Sequence, residues 1–90
     1  MTLRIFEERG DDGAVIALHG WFSVAEVSEV ERVAAEQGRP LRIDLGSLAG
    51  VDSDGLRVLR RLRADGAQLT CVSPYFELLL GRAERDDVQR

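Results

Sequence analysis

The sequence predicts an α/β fold: a single domain with a four-stranded mixed, largely parallel sheet, an N-terminal hairpin and three helices packed on the sheet. Three observations carry this reading. The first eighteen residues form two alternating segments around an Asp-Gly pair. Beyond residue 20 the apolar spacing switches repeatedly between the period of a strand and that of a helix, which demands crossover connections and hence parallel pairing under a helical cover. Ninety residues hold one small core and leave no room for a second domain.

The hairpin strands are expected near Leu3 to Glu7 and Ala14 to Leu18, with Arg9, Gly10, Asp11, Asp12 and Gly13 between them. After Gly20, Ser23 and Glu26 stand at capping-box spacing, and Val24, Val27, Val30, Val33 and Ala34 supply one apolar face of a first helix ending near Gly38 and Pro40. Leu41, Ile43 and Leu45 alternate with Arg42 and Asp44 as a third strand, stopped by the turn residues Gly46 and Ser47. A second helix is expected from about Asp54 to Ala64, ended by Asp65 and Gly66, and a fourth strand from Leu69 to Val72. Ser73 and Pro74 start a third helix whose apolar face is Tyr75, Phe76, Leu78, Leu79 and Leu80. From Gly81 onward the chain is polar and charged and is expected to fray.

Composition narrows the function classes. Hydrophobic residues make up 44% and charged residues 31%, the balance of an ordinary soluble domain. Apolar runs are only a few residues long and Thr2 to Glu8 alternate, so neither a membrane span nor a signal peptide is expected. A net charge of −4 disfavours nonspecific nucleic-acid binding, which needs an excess of basic side chains. The single cysteine, Cys71, has no internal partner and sits in an apolar stretch, where a small buried core residue of the reducing cytoplasm is expected.

The stretch that carries chemistry is Asp52, Ser53, Asp54, Gly55 and Leu56, followed by Arg57. It places a hydroxyl between two carboxylates at a helix start, where free N–H groups and the macrodipole favour anions. A phosphate on Ser53 would be well placed there. The same residues also read as plain caps, since Asp and Ser are both preferred at such positions. Arg57, Arg60 and Arg61 share a helix face opposite Leu56, Leu59 and Leu62, either as solvated surface or as a contact for an acidic partner. Trp21 and Phe22 fall in an expected loop, where large aromatics are either tucked into the core or serve as interface anchors. His19 is a lone histidine at a strand end, a position that is ordinarily structural.

In order and spacing these segments resemble a STAS domain, the family of bacterial anti-sigma factor antagonists and of regulatory domains of sulfate transporters. The matching residues are Val15 to Gly20, Val24 to Glu36, Ile43-Asp44-Leu45, Asp52 to Leu56, and Gly66-Ala67-Gln68-Leu69 into Val72-Ser73-Pro74. The resemblance implies a domain over residues 1–82 with a polar tail at 83–90, no catalytic activity and no cofactor or metal. It also implies partner switching in the cytoplasm. The partner is an anti-sigma factor kinase or a related ATP-binding regulator, and phosphorylation of the serine after the motif aspartate, here Ser53, abolishes binding. The docking residues expected on this basis are Asp52, Ser53, Asp54, Gly55, Leu56 and Arg57, with Trp21, Phe22 and Ser23. Two departures stand out. Asp54 replaces the family's second hydroxyl residue, and Trp21, Phe22 and Ser23 occupy the place where well-studied antagonists carry an acidic residue.

Two other readings compete. One is a constitutive adaptor that sits on an ATPase or scaffold without phosphorylation. The other is a small hydrolase built from Ser53, His19 and the aspartates. The second lacks a Gly-x-Ser-x-Gly elbow, a metal-ligand cluster and a phosphate-binding loop, and stoichiometric labelling of Ser53 by a serine-reactive phosphonate would revive it. Self-association is left open.

Overall fold

The computed structural model describes residues 3–38 and 40–88. The elements run β1 (Leu3–Gly10), β2 (Gly13–Phe22), a 3-10 turn (Val24–Glu26), α1 (Val27–Gln37), β3 (Leu41–Asp44), β4 (Leu48–Val51), α2 (Ser53–Ala64), β5 (Gln68–Thr70) and α3 (Pro74–Val88). The fold is mixed α/β, as expected, with one antiparallel pair (β1 with β2) and three parallel pairs (β2 with β3, β2 with β4, β3 with β5).

The hairpin is longer than the alternation of its residues predicts. Its turn is Asp11-Asp12, and the register runs without interruption from Gly10 opposite Gly13 to Leu3 opposite Gly20. Gly13 has φ of +114°, and a Cβ there would fall 2.7 Å from the Pro40 carbonyl oxygen, which accepts from the Ala14 N–H. The expected loop at Trp21 and Phe22 is instead the end of β2. It is held as a strand by β4, a fifth strand that the sequence reading missed.

β3 and β4 lie on the same side of β2. The first pairs with Ala14 to Ala17 and the second with Gly20 to Phe22, and the chain leaves the sheet between them at Leu45 to Ser47. The Ser47 carbonyl accepts from Gly20 N–H, and the Asp44 carboxylate accepts from Gly46 N–H at 2.8 Å, which holds the detour against the sheet. A register shift between Gly20 and Trp21 lets Gly50 lie opposite Trp21. The indole packs directly over that glycine, since a Cβ at Gly50 would fall 2.0 Å from the ring.

The core sits on one face of the sheet. Ile16 and Leu18 of β2, Leu41 and Ile43 of β3 and Phe22 meet Val30 and Val33 of α1, Val58, Leu59 and Leu62 of α2, and Phe76 and Leu80 of α3. The opposite face, carrying Arg4, Phe6, Val15, Ala17, His19 and Trp21, has no helix over it among the described residues, whose helical cover lies on one side only.

Two further expectations are corrected. Cys71 is exposed, not buried, because β5 ends at Thr70 and Cys71 turns the chain with φ of +55°. The third helix does not stop at Gly81 but continues to Val88, and residues 89–90 of the expected tail lie outside the described residues.

Candidate functional site

Asp52 has extended backbone (φ −90°, ψ −178°) and is the N-cap of α2. Its Oδ1 accepts the Gly55 N–H at 2.9 Å, while Oδ2 accepts the Val24 N–H at 2.9 Å, the first N–H of the 3-10 turn that opens α1. One carboxylate therefore satisfies free N–H groups at the starts of two helical segments, one of them 28 residues before Asp52 in sequence. The Gly55 N–H is the main reason its carboxyl lies below the ordinary aspartate range. Loss of water opposes this, and the Val24 and Asp54 N–H groups add to the lowering.

Phe22 and Gly55 fix where that cap sits. The Phe22 carbonyl accepts the Asp52 N–H at 3.0 Å, tying the end of β2 to the start of α2. A Cβ on Gly55 would come within 2.6 Å of Val51 Cγ2 and 2.8 Å of the Phe22 carbonyl oxygen, so only glycine lets the first helical turn press onto the strand end. Phe22 itself is 0% exposed. Its expected place among the docking residues is thus corrected: the ring is wholly committed to the core, a burial worth up to about 3 kcal/mol, and it supports the site from beneath. Gly55 is likewise buried, and Leu56 is half-buried against the core.

The Ser23–Glu26 pair forms as the spacing predicts. Glu26 Oε1 accepts from the Ser23 hydroxyl at 2.8 Å and from the Ser23 N–H at 3.0 Å, and these bonds hold the Glu26 carboxyl below its ordinary range. The residues before α1 and those before α2 are therefore locked together, which places Ser23, Val24, Asp52 and Ser53 on one surface.

Ser53 is the first residue of α2 and is exposed, and its hydroxyl has no hydrogen-bond partner among the described residues. Asp54 turns to Arg57 at 3.5 Å in a pair open to solvent. Arg61, on the expected basic face, pairs with Glu31 of α1, which leaves Arg57 as the more exposed cation beside the site. Trp21 lies apart on the uncovered face of the sheet, over Gly50. The sequence reading missed Val24, a 62% exposed apolar residue whose N–H reaches Asp52. Helical periodicity alone places it on the buried face.

His19 stacks on Phe6 (ring centroids 4.6 Å apart, planes 57° apart) on the uncovered sheet face. Among the described residues no group of three His, Cys, Asp or Glu side chains could hold a metal ion, and no helix is long and apolar enough to cross a membrane. A surface concavity of about 320 Å³ lies at the hairpin turn, lined by Asp11, Asp12 and Arg42 among others, and does not include Ser53.

No protein-family model and no curated protein matches the sequence. Solved structures do match in fold. One is Mglu, at 25% identity and a TM-score of 0.60, over 77% of this chain and 19% of that one. Mglu in its native form in the presence of 4.3 M NaCl matches at 19% identity and a TM-score of 0.53, over 81% of this chain and 26% of that one. This chain thus spans only about a fifth to a quarter of Mglu. An uncharacterized protein of the DUF3478 family with a SpoIIAA-like fold, from Shewanella loihica PV-4, matches at 12% identity and a TM-score of 0.56, over 90% of this chain and 76% of that one. With its mixed sheet, one-sided helical cover and capped α2, the chain has a SpoIIAA-like fold.

Proposed function

We propose that this domain is a non-enzymatic, cytoplasmic anti-sigma factor antagonist that docks on an ATP-binding anti-sigma kinase through the start of α2, and that phosphorylation of Ser53 releases it. The supporting observation is the division of labour between Asp52 and Ser53. Asp52 makes the cap, so Ser53 is not needed for it, and the serine hydroxyl stands exposed at the first helical position. A phosphate there adds nearly two charges beside the N–H groups of α2, which the domain tolerates, while a snug partner surface does not. Each ~1.4 kcal/mol of difference changes affinity tenfold, so no change of fold is needed. Asp54, paired with Arg57, leaves the serine the group whose charge changes.

The hydrolase reading finds little support, because His19 is engaged with Phe6 on the uncovered sheet face. A constitutive adaptor is the second reading, and what favours it is that the same fold makes up about a fifth of the longer Mglu chain.

The test is a paired capture from the native lysate with the wild-type protein and the Ser53→Glu and Ser53→Ala variants. A kinase held by wild type and Ser53→Ala but lost with Ser53→Glu is the expected result. Equal capture of one partner by all three would overturn the switch and leave the adaptor.

A further inference from the structure

The two edges of the sheet are unequal. β5 is three residues long, whereas β1 runs eight residues and among the described residues pairs only with β2. A long open edge is a template for another strand.

Its hydrogen-bonding phase follows from the hairpin. The two-residue turn makes Gly10 and Gly13 a bonded pair, and antiparallel pairs alternate, so Glu8, Phe6 and Arg4 direct their main-chain groups toward β2. Leu3, Ile5, Glu7 and Arg9 direct theirs to the open edge.

The side chains then select a partner. On the uncovered face β1 presents Arg4, Phe6 and Glu8, all exposed, in that order. We propose that β1 pairs antiparallel with β1 of a second copy of this chain, with Phe6 on the two-fold axis and Arg4 of each copy opposite Glu8 of the other. In that register the bonded pairs are Leu3 with Arg9 and Ile5 with Glu7, each formed twice, which uses every outward main-chain group. Phe6 meets its own copy at a non-bonded pair, where side chains approach more closely. The phenyl rings, 48% exposed in the single chain, cover one another, and the two Arg–Glu contacts close around them.

Neighbouring registers are poorer. Centring on Glu7 sets two glutamates face to face, and centring on Ile5 places Arg4 against Phe6. Registers shifted by one residue would join the covered face of one sheet to the uncovered face of the other. The charges of β1 thus oppose most strand partners and complement a second β1, and the contact is isologous and closes at two copies.

The test is sedimentation velocity over a concentration series, with circular dichroism confirming the fold of each variant. Wild type is expected to show a concentration-dependent dimer. Arg4→Glu and Glu8→Arg, each of which creates two like-charge contacts, should each weaken it about tenfold or more. The double swap Arg4→Glu/Glu8→Arg should restore it, and Ser53→Glu should leave it unchanged. A wild type that stays monomeric throughout, or a double swap no better than either single variant, overturns the proposal.

Discussion

The carboxylate of Asp52 and the main-chain N–H of Val24, 2.9 Å apart, join the segment before α1 to the start of α2. The second oxygen of the same carboxylate caps α2 at Gly55. Asp52→Ala therefore leaves free N–H groups in two places, and the melting temperature should fall by several degrees. Asp52→Asn keeps one acceptor oxygen and should lie between wild type and alanine. Thermal unfolding followed by circular dichroism checks the order, and a melting point of the alanine variant equal to wild type would show that water replaces both bonds at no cost.

The same cap predicts how stability depends on acid. Asp52 and Glu26 both have carboxyls below their ordinary values in the folded protein, the first held by Gly55 N–H and the second by Ser23. A group whose folded value is depressed contributes stability that is present above its unfolded value and lost as pH falls through the folded one. The unfolded values lie near 3.8 and 4.5, so this contribution is complete at neutral pH and fades below about pH 4. The Asp52→Asn/Glu26→Gln variant should be less stable at neutral pH yet lose less between neutrality and acid. Urea unfolding at several pH values checks this, and parallel acid limbs for variant and wild type would exclude both carboxylates as the source.

These two devices were legible at different depths. The Ser23–Glu26 pair is a local signal of fixed spacing, and the Asp52 cap follows from its place before an apolar helical repeat. The Asp52–Val24 bond is tertiary and leaves no local mark. β4 was invisible because Leu48-Ala49-Gly50-Val51 has little strand propensity, and it becomes a strand only because β2 is long enough to pair twice. The same missing strand made Trp21 and Phe22 read as a loop. Cys71 misled through its apolar neighbours, since the left-handed turn that exposes it has no glycine to announce it.

Gly50 and Trp21 form a contact with a built-in reporter, because Trp21 is the only tryptophan. A Cβ at Gly50 would fall 2.0 Å from the indole, and the ring can swing away into solvent. Gly50→Ala should therefore shift tryptophan emission to the red while costing only about 1 kcal/mol of stability. An unchanged spectrum would mean that the indole does not rest on Gly50 in solution.

Gly55 is less forgiving, since the atoms in its way include the Phe22 main chain. Alanine ordinarily favours a helix over glycine by about 0.5–1 kcal/mol. At Gly55 the clash reverses that sign, and Gly55→Ala should destabilise by about 2 kcal/mol. Gly81, also in a helix but with nothing within 4 Å of its Cβ position, is the matched control and should be stabilised by the same change. Chemical denaturation of the two variants side by side checks the contrast, and the same sign at both sites would sink it.

Cys71 is the one non-glycine residue with positive φ among the described residues, and its thiol is exposed. The left-handed conformation costs a residue with a Cβ about 1 kcal/mol or more, and glycine occupies it without that penalty. Cys71→Gly should raise stability by up to about 1 kcal/mol, whereas Cys71→Val, whose branched side chain suits that conformation worst, should lower it. The thiol of the wild type should also react with a disulfide reagent in the native state at a rate near that of the unfolded chain. Slow labelling together with destabilisation by glycine would instead mean that Cys71 is packed inside, as its apolar neighbours suggest. The two measurements are independent, because the first reads the backbone and the second the side chain.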